Sequence, residues 1–111
     1  MTTAAELLEA VREFLEGDVM SATEGRVRFH ARVAANAVAI VERELSLGPA
    51  HVDALSARLD ALGVASLDEL AAAIRDGRLD GRYDEVAAAV RATVRDELLV
   101  ANPKYLDNPV P

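Results

Sequence analysis

The chain has 111 residues, room for one apolar core rather than two. Hydrophobic residues make up 51% and charged residues 28%, which excludes an unstructured chain, while aromatics at 4% and no Trp leave a core of Leu, Val, Ile and Ala. A net charge of −7 argues against nucleic acid and against an anionic membrane surface, both of which need a positive footprint; the absence of cysteine removes disulfides, thiolate nucleophiles and Cys-based zinc sites together.

Residues 1–6 carry no basic leader and run directly into an amphipathic pattern, so no signal peptide is expected. The longest apolar stretch, Val33 to Val41, is nine residues and contains Asn36, against roughly 20 for a membrane span. The expectation is a soluble, cytoplasmic protein.

In chain order, Leu7, Leu8, Val11, Phe14 and Leu15 recur at helical period as one stripe. Thr3 with Glu6 reads as a capping box, and Gly17 as the left-handed C-cap. Ser21 with Glu24 reads as a second box, opening a long helix from about Ala22 to Leu47 that Gly48 and Pro49 stop. On that helix Phe29, Val33, Ala37 and Ile40 lie together. Val27, Ala31, Ala34, Val38, Val41 and Leu45 form an adjoining stripe, and an apolar arc this wide predicts several packed neighbours. Val52, Leu55, Leu59 and Leu62 make a third helix ended by Gly63. Ser66 with Glu69 caps a fourth, carrying Leu67, Leu70, Ala71 and Ile74, and Gly77 closes it. A loop over residues 77–81 leads to a fifth helix with Tyr83, Val86, Val90, Val94 and Leu98, which Pro103 ends near Asn102. No segment alternates at period 2. The predicted fold is all-α: a four- or five-helix bundle over residues 1–102 around one long central helix, followed by a Pro-rich extended tail over residues 103–111.

Chemistry-bearing residues concentrate on the long helix, where Arg26, Arg28, His30 and Arg32 follow one another. Arg28 and Arg32 fall on the outward face; Arg26 and His30 point into the apolar arc, where a charge is costly unless paired. The cluster reads either as an anion or partner site or as surface arginines balanced by Glu24, Glu42 and Glu44. His30 is expected to hydrogen-bond inside the bundle, and Asn36 to fix helix register. His51 has no carboxylate partner in motif spacing. The pairs Asp68/Glu69, Asp84/Glu85 and Asp96/Glu97 read as helix-end charges or solvated faces. No nucleotide-binding, zinc-protease or nucleophile-elbow motif occurs, so no catalytic residue, metal site or cofactor is assigned.

Three stretches carry a family resemblance: Leu8 to Leu15, Gly25 to Ala37 with the following Ile40 to Glu44, and Asp96 to Tyr105. Together they resemble a bacterial family of small uncharacterised helical domains encoded beside aminoglycoside-phosphotransferase-like kinases and acyl-CoA dehydrogenases. The resemblance implies a non-catalytic accessory subunit of a kinase that phosphorylates the hydroxyl of a 4-hydroxyacyl-CoA in acid catabolism. The kinase would supply the ATP site and the base. This chain would supply an interface, stability or part of an acyl-CoA site, with Arg26, Arg28, His30, Arg32, Asn36, Asn102 and Tyr105 as its ligand- or partner-binding residues. The alternative is a self-associating helical module, a homo-oligomer in isolation, that binds a small anionic or acyl-CoA ligand.

Overall fold

The computed structural model describes residues 2–107, and among these the chain is all-α, without a strand. The order is α1 (Ala4–Phe14), a π-helical turn (Leu15–Val19), α2 (Met20–Ala22), α3 (Gly25–Leu62), α4 (Leu67–Arg75), a 3-10 turn (Asp80–Arg82), α5 (Tyr83–Ala101) and α6 (Lys104–Asp107). The fold is a helical bundle in which one long helix, α3, runs through two contact units. The first unit extends to Gly48 and takes in Val100–Asn102; the second is Pro49–Leu99 with the chain from Pro103 onward.

The first unit starts at Thr3, whose Oγ1 accepts from the Glu6 N–H at 3.1 Å. The stop expected at Gly17 is absent, because a π turn carries the helical path through Gly17 into α2. The expected Ser21/Glu24 box is absent too. The chain turns at extended Thr23 instead, whose hydroxyl donates to the Val19 carbonyl at 2.6 Å, and α3 starts on Gly25 with φ +60°. The sequence pattern missed this corner because a left-handed glycine supplies the break that a capping box would otherwise mark. Between α1 and α3, Arg12 grips Glu42, Nε to Oε1 at 2.6 Å, and this hydrogen bond holds the guanidinium pKa above its ordinary value. Arg43 Nε donates to the Val100 carbonyl at 2.7 Å, satisfying a carbonyl near the end of α5. Ala31 and Ala35 form a buried seam of small residues along α3, and Val100 is buried at the end of α5.

The stop expected at Gly48–Pro49 is also corrected, since α3 continues to Leu62 with Pro49 inside it. Pro49 has no N–H to return to the Leu45 carbonyl, and Gly48 before it has no Cβ to clash with the proline ring. The helix therefore survives the dipeptide, while the contacts divide there.

The second unit holds the larger core. Leu59, Leu62, Val64, Leu70, Ala73 and Leu79 are buried together, with Leu55, Val86 and Ala89 against them. Two glycine corners shape it. After α3, Gly63 at φ +75° donates to the Asp60 carbonyl, and Val64 donates back to Leu59. After α4, Gly77 at φ +85° does the same with Ile74, and Arg78 with Ala73. Both are six-to-one closures with the apolar contact that accompanies such caps at the first of them. Ser66 Oγ accepts from the Glu69 N–H at 3.1 Å, and the Glu69 carboxylate accepts from the Ala65 N–H at 2.7 Å, one residue earlier than a strict capping box.

α5 ends at Ala101, as Pro103 requires, but the extended tail is corrected over Lys104–Asp107, which make a helical turn. Proline suits the start of a helix, where its missing N–H would be unpaired anyway, and Leu106 donates to the Pro103 carbonyl at 3.2 Å. The rest of the expected tail, residues 108–111, lies outside the described residues.

Gly63 and Gly17 make a matched test. A Cβ on either would meet nothing within 4 Å, but only Gly63 is left-handed. Gly63→Ala is expected to lower unfolding stability by about 1 kcal/mol, and Gly17→Ala to raise it by roughly 0.5 kcal/mol. Urea denaturation of the full chain reads both, and equal signs would contradict the assignment.

Candidate functional site

Arg26, Arg28, His30 and Arg32 occupy the first two turns of α3 and are all exposed. At about 100° per residue, the Ala31–Ala35 seam and the stripe Phe29–Val33–Ile40 fall on nearly opposite sides of the helix. Phe29 is 59% exposed and Val33 49%. The inward placement of Arg26 and His30 is corrected accordingly: they do flank the large apolar residues, but that arc faces solvent. His30 makes no bond inside the bundle; its ring meets the edge of Phe29 at a centroid distance of 5.7 Å. Asn36 is exposed and pins no register. The reason is shared: alanine, not bulk, provides the contact, so the half of the helix carrying Phe29 and Val33 is left outside.

Arg28 is partly committed, its Nε donating to the Met20 carbonyl at 3.3 Å across the Thr23–Gly25 corner. Among the described residues, none of Arg26, Arg28 and Arg32 forms an ion pair; Glu42, read as one of their balancing acids, is taken by Arg12. The first turn of α3 holds no acid. Arg26 and Arg28, in the first turn, oppose the backbone dipole, so the cluster gains nothing from it. It is a positive patch beside an apolar stripe. Asn102 and Tyr105 lie on either side of Pro103, both exposed. A second outward stripe, Leu7, Val11 and Phe14, lies on α1, where only Leu8 and Leu15 of the single expected stripe are half-buried.

The second unit contains a polar cluster that sequence reasoning missed. Asp96 on α5 accepts from Arg58 Nη2 at 3.0 Å and lies 3.7 Å from His51 Nε2; Arg58 Nη1 also reaches Thr93 Oγ1 at 3.3 Å. His51 thus has a carboxylate neighbour, and Asp96 is no solvated helix charge. The signal was available in the seven-residue spacing of His51 and Arg58, which puts both on one face of α3. Beside the cluster, Leu55, Leu59, Leu62, Leu70, Val90 and Val94 wall a cavity of about 170 Å³, with Arg58, Thr93 and Glu97 also lining it. The other acid pairs behave as helix-start charges: Asp68 and Glu69 begin α4, and Asp84 and Glu85 begin α5. A hydrogen bond from Arg82 holds the Glu85 carboxyl below its ordinary pKa, and one from Arg78 does so for Asp76. No helix among the described residues is long and apolar enough to cross a membrane, and none of their acidic and histidine side chains gather in threes around a point that could hold a metal ion.

The two kinds of ion pair should differ in worth. Asp96→Ala leaves the half-buried Arg58 without its carboxylate and is expected to cost about 1–2 kcal/mol. Asp76→Ala breaks a pair exposed on both sides and is expected to leave the denaturation midpoint unchanged. Chemical denaturation of the two variants checks the contrast.

A family model described as a domain of unknown function, DUF6285, matches residues 21–105. No curated protein and no solved structure matches the chain. The matched segment runs from the end of α2 to the start of α6 and so takes in the basic cluster, both glycine corners and the Asp96 network: the chain belongs to the DUF6285 family.

Proposed function

We propose that this chain is a partner subunit that docks a larger protein through the outward stripe of α3. The observation that carries the reading is the exposure of Phe29 and Val33 on the side of α3 away from its own Ala31–Ala35 seam. Large apolar residues aligned along three helical turns, flanked by cations, have the composition of a helix-docking face: an apolar centre with a charged rim, in which aromatic and Arg side chains are the usual anchors. Arg26 and Arg32 supply that rim, and neither is spent on an ion pair among the described residues.

The identity of the partner rests on the sequence resemblance. The proposed partner is an aminoglycoside-phosphotransferase-like kinase acting on a hydroxyacyl-CoA, for which this chain provides no reacting group. An acidic patch on the kinase suits the arginines, as would the phosphates of a bound CoA. The leucine-walled cavity of the second unit does not gather the basic residues, so the protein-docking role is favoured over a separate acyl-CoA site in this chain. A place in the cytoplasm follows from the same reading.

A kinase of the proposed type, purified with and without the chain, tests the proposal. The expected outcome is a stable complex on sizing, with phosphorylation of 4-hydroxyacyl-CoA at least about tenfold faster in the complex. Val33→Glu, an exposed change that leaves the Ala31–Ala35 seam intact, is expected to dissociate it. A kinase that is equally active alone and forms no complex ends the reading.

A further inference from the structure

The cavity in the second unit raises a separate question: what fits it. Its walls are leucine and valine, yet Val90 is 41% exposed and Val94 48%, so the apolar lining is open to water. Its volume of about 170 Å³ is that of one aromatic ring, since a protein cavity of about 150 Å³ takes up benzene. The charge at its edge narrows the choice. Arg58 is neutralised by Asp96, while Glu97 is exposed and, among the described residues, forms no ion pair. An anionic head group is therefore disfavoured, and an apolar ring with cations beside it is favoured.

The chain itself carries such a group. Of its two Phe and two Tyr residues, Phe14 lies among Glu13, Glu16 and Asp18. Tyr83 has Arg82 before it but Asp84 and Glu85 after it, and Tyr105 has Lys104 before it but Asp107 two residues on. Phe29 alone has Arg26, Arg28 and Arg32 around it, with no acid between Glu24 and Glu42. Its ring is 59% exposed. We propose that Phe29 of one copy of this chain seats in the leucine pocket between α3, α4 and α5 of a second copy, with Arg26 and Arg32 facing Glu97. The smallest assembly that uses every ring and every pocket is a dimer, each copy giving one of each. The proposal uses the same stripe as the docking reading but needs no kinase, so either can fail alone.

Sedimentation equilibrium of the full chain, without any partner, is the test. The wild type is expected to be a dimer at tens of micromolar. Phe29→Ser and Val94→Asp, both at exposed positions, are each expected to weaken it by at least about tenfold, with circular dichroism showing folded helix. Phe14→Ser is expected to leave the dimer intact. The decisive arm mixes the two weakened variants at several hundred micromolar. One unaltered ring then meets one unaltered pocket, and the weight-average mass is expected to rise above that of either variant alone. A monomeric wild type, a dimer indifferent to Phe29→Ser, or a mixture that does not re-associate would each overturn the proposal. A wild-type monomer whose Leu59 and Val94 methyl signals shift on adding toluene would reassign the pocket to a small apolar ligand.

Discussion

Bulk is in short supply in this chain, and that constraint organises the rest. A helix as apolar as the first half of α3 needs neighbours on several sides, and the first unit offers it α1 and the end of α5. The residues it buries are small, Ala31 and Ala35 on α3 itself, with Val100 buried at the end of α5. Burying alanine removes little apolar area from water, at about 25 cal/mol per Å². The first unit is therefore tied as much by polar clasps as by apolar contact, Arg12 on Glu42 and Arg43 on the Val100 carbonyl. The second unit has three helices and two glycine corners to enclose its leucines, and there the usual core appears.

The division between the units is written in two residues. Gly48–Pro49 looks like a stop, and in most sequences it would be one, because an interior proline costs about 3 kcal/mol. Here the helix pattern is strong on both sides. Proline has the φ that a helix start needs, and glycine removes the Cβ that would have collided with the ring. The dipeptide acts as the end of one contact unit and the start of the next without interrupting the hydrogen-bonded path for long. A single helix can then serve two sets of neighbours.

Helix positions were legible from period and caps: Thr3, Ser66, Gly63, Gly77 and Pro103 each act in the structure as their residue types predict. What was not legible is which side of an apolar helix is covered. Periodicity reports that Phe29, Val33 and Ile40 share a face; it cannot report that the chain has nothing of its own to put there. The same gap explains His30 and Asn36, both assigned to an interior that lies elsewhere. The corner at Thr23–Gly25 was hidden because Ser21 and Glu24 have the spacing of a cap while the glycine supplies the turn. Of the Asp96 cluster, spacing puts His51 beside Arg58 on α3 and Thr93 beside Asp96 on α5 but does not show that the two pairs meet, since Asp96 lies 38 residues beyond Arg58. Long-range pairing of this kind leaves no periodic trace.

The basic patch is best understood against the other arginines of the same helix. Arg43 and Arg58 show what a structural arginine does here: it turns half-buried and finds a carbonyl or a carboxylate. Arg28 reaches one carbonyl, while Arg26 and Arg32 find no acid among the described residues, although the chain carries 19 acidic residues against 12 basic ones. With that surplus, an unpaired pair of arginines is not a shortage of partners but a matter of placement. Arg26 stands in the first turn of α3, where the helix dipole disfavours it, and both arginines lie near Phe29 and Val33, which are exposed. In a chain of net charge −7, long-range repulsion between acidic surfaces is screened within about 8 Å at physiological salt. At contact, therefore, the docking proposed above would be oriented by the positive first turns of α3.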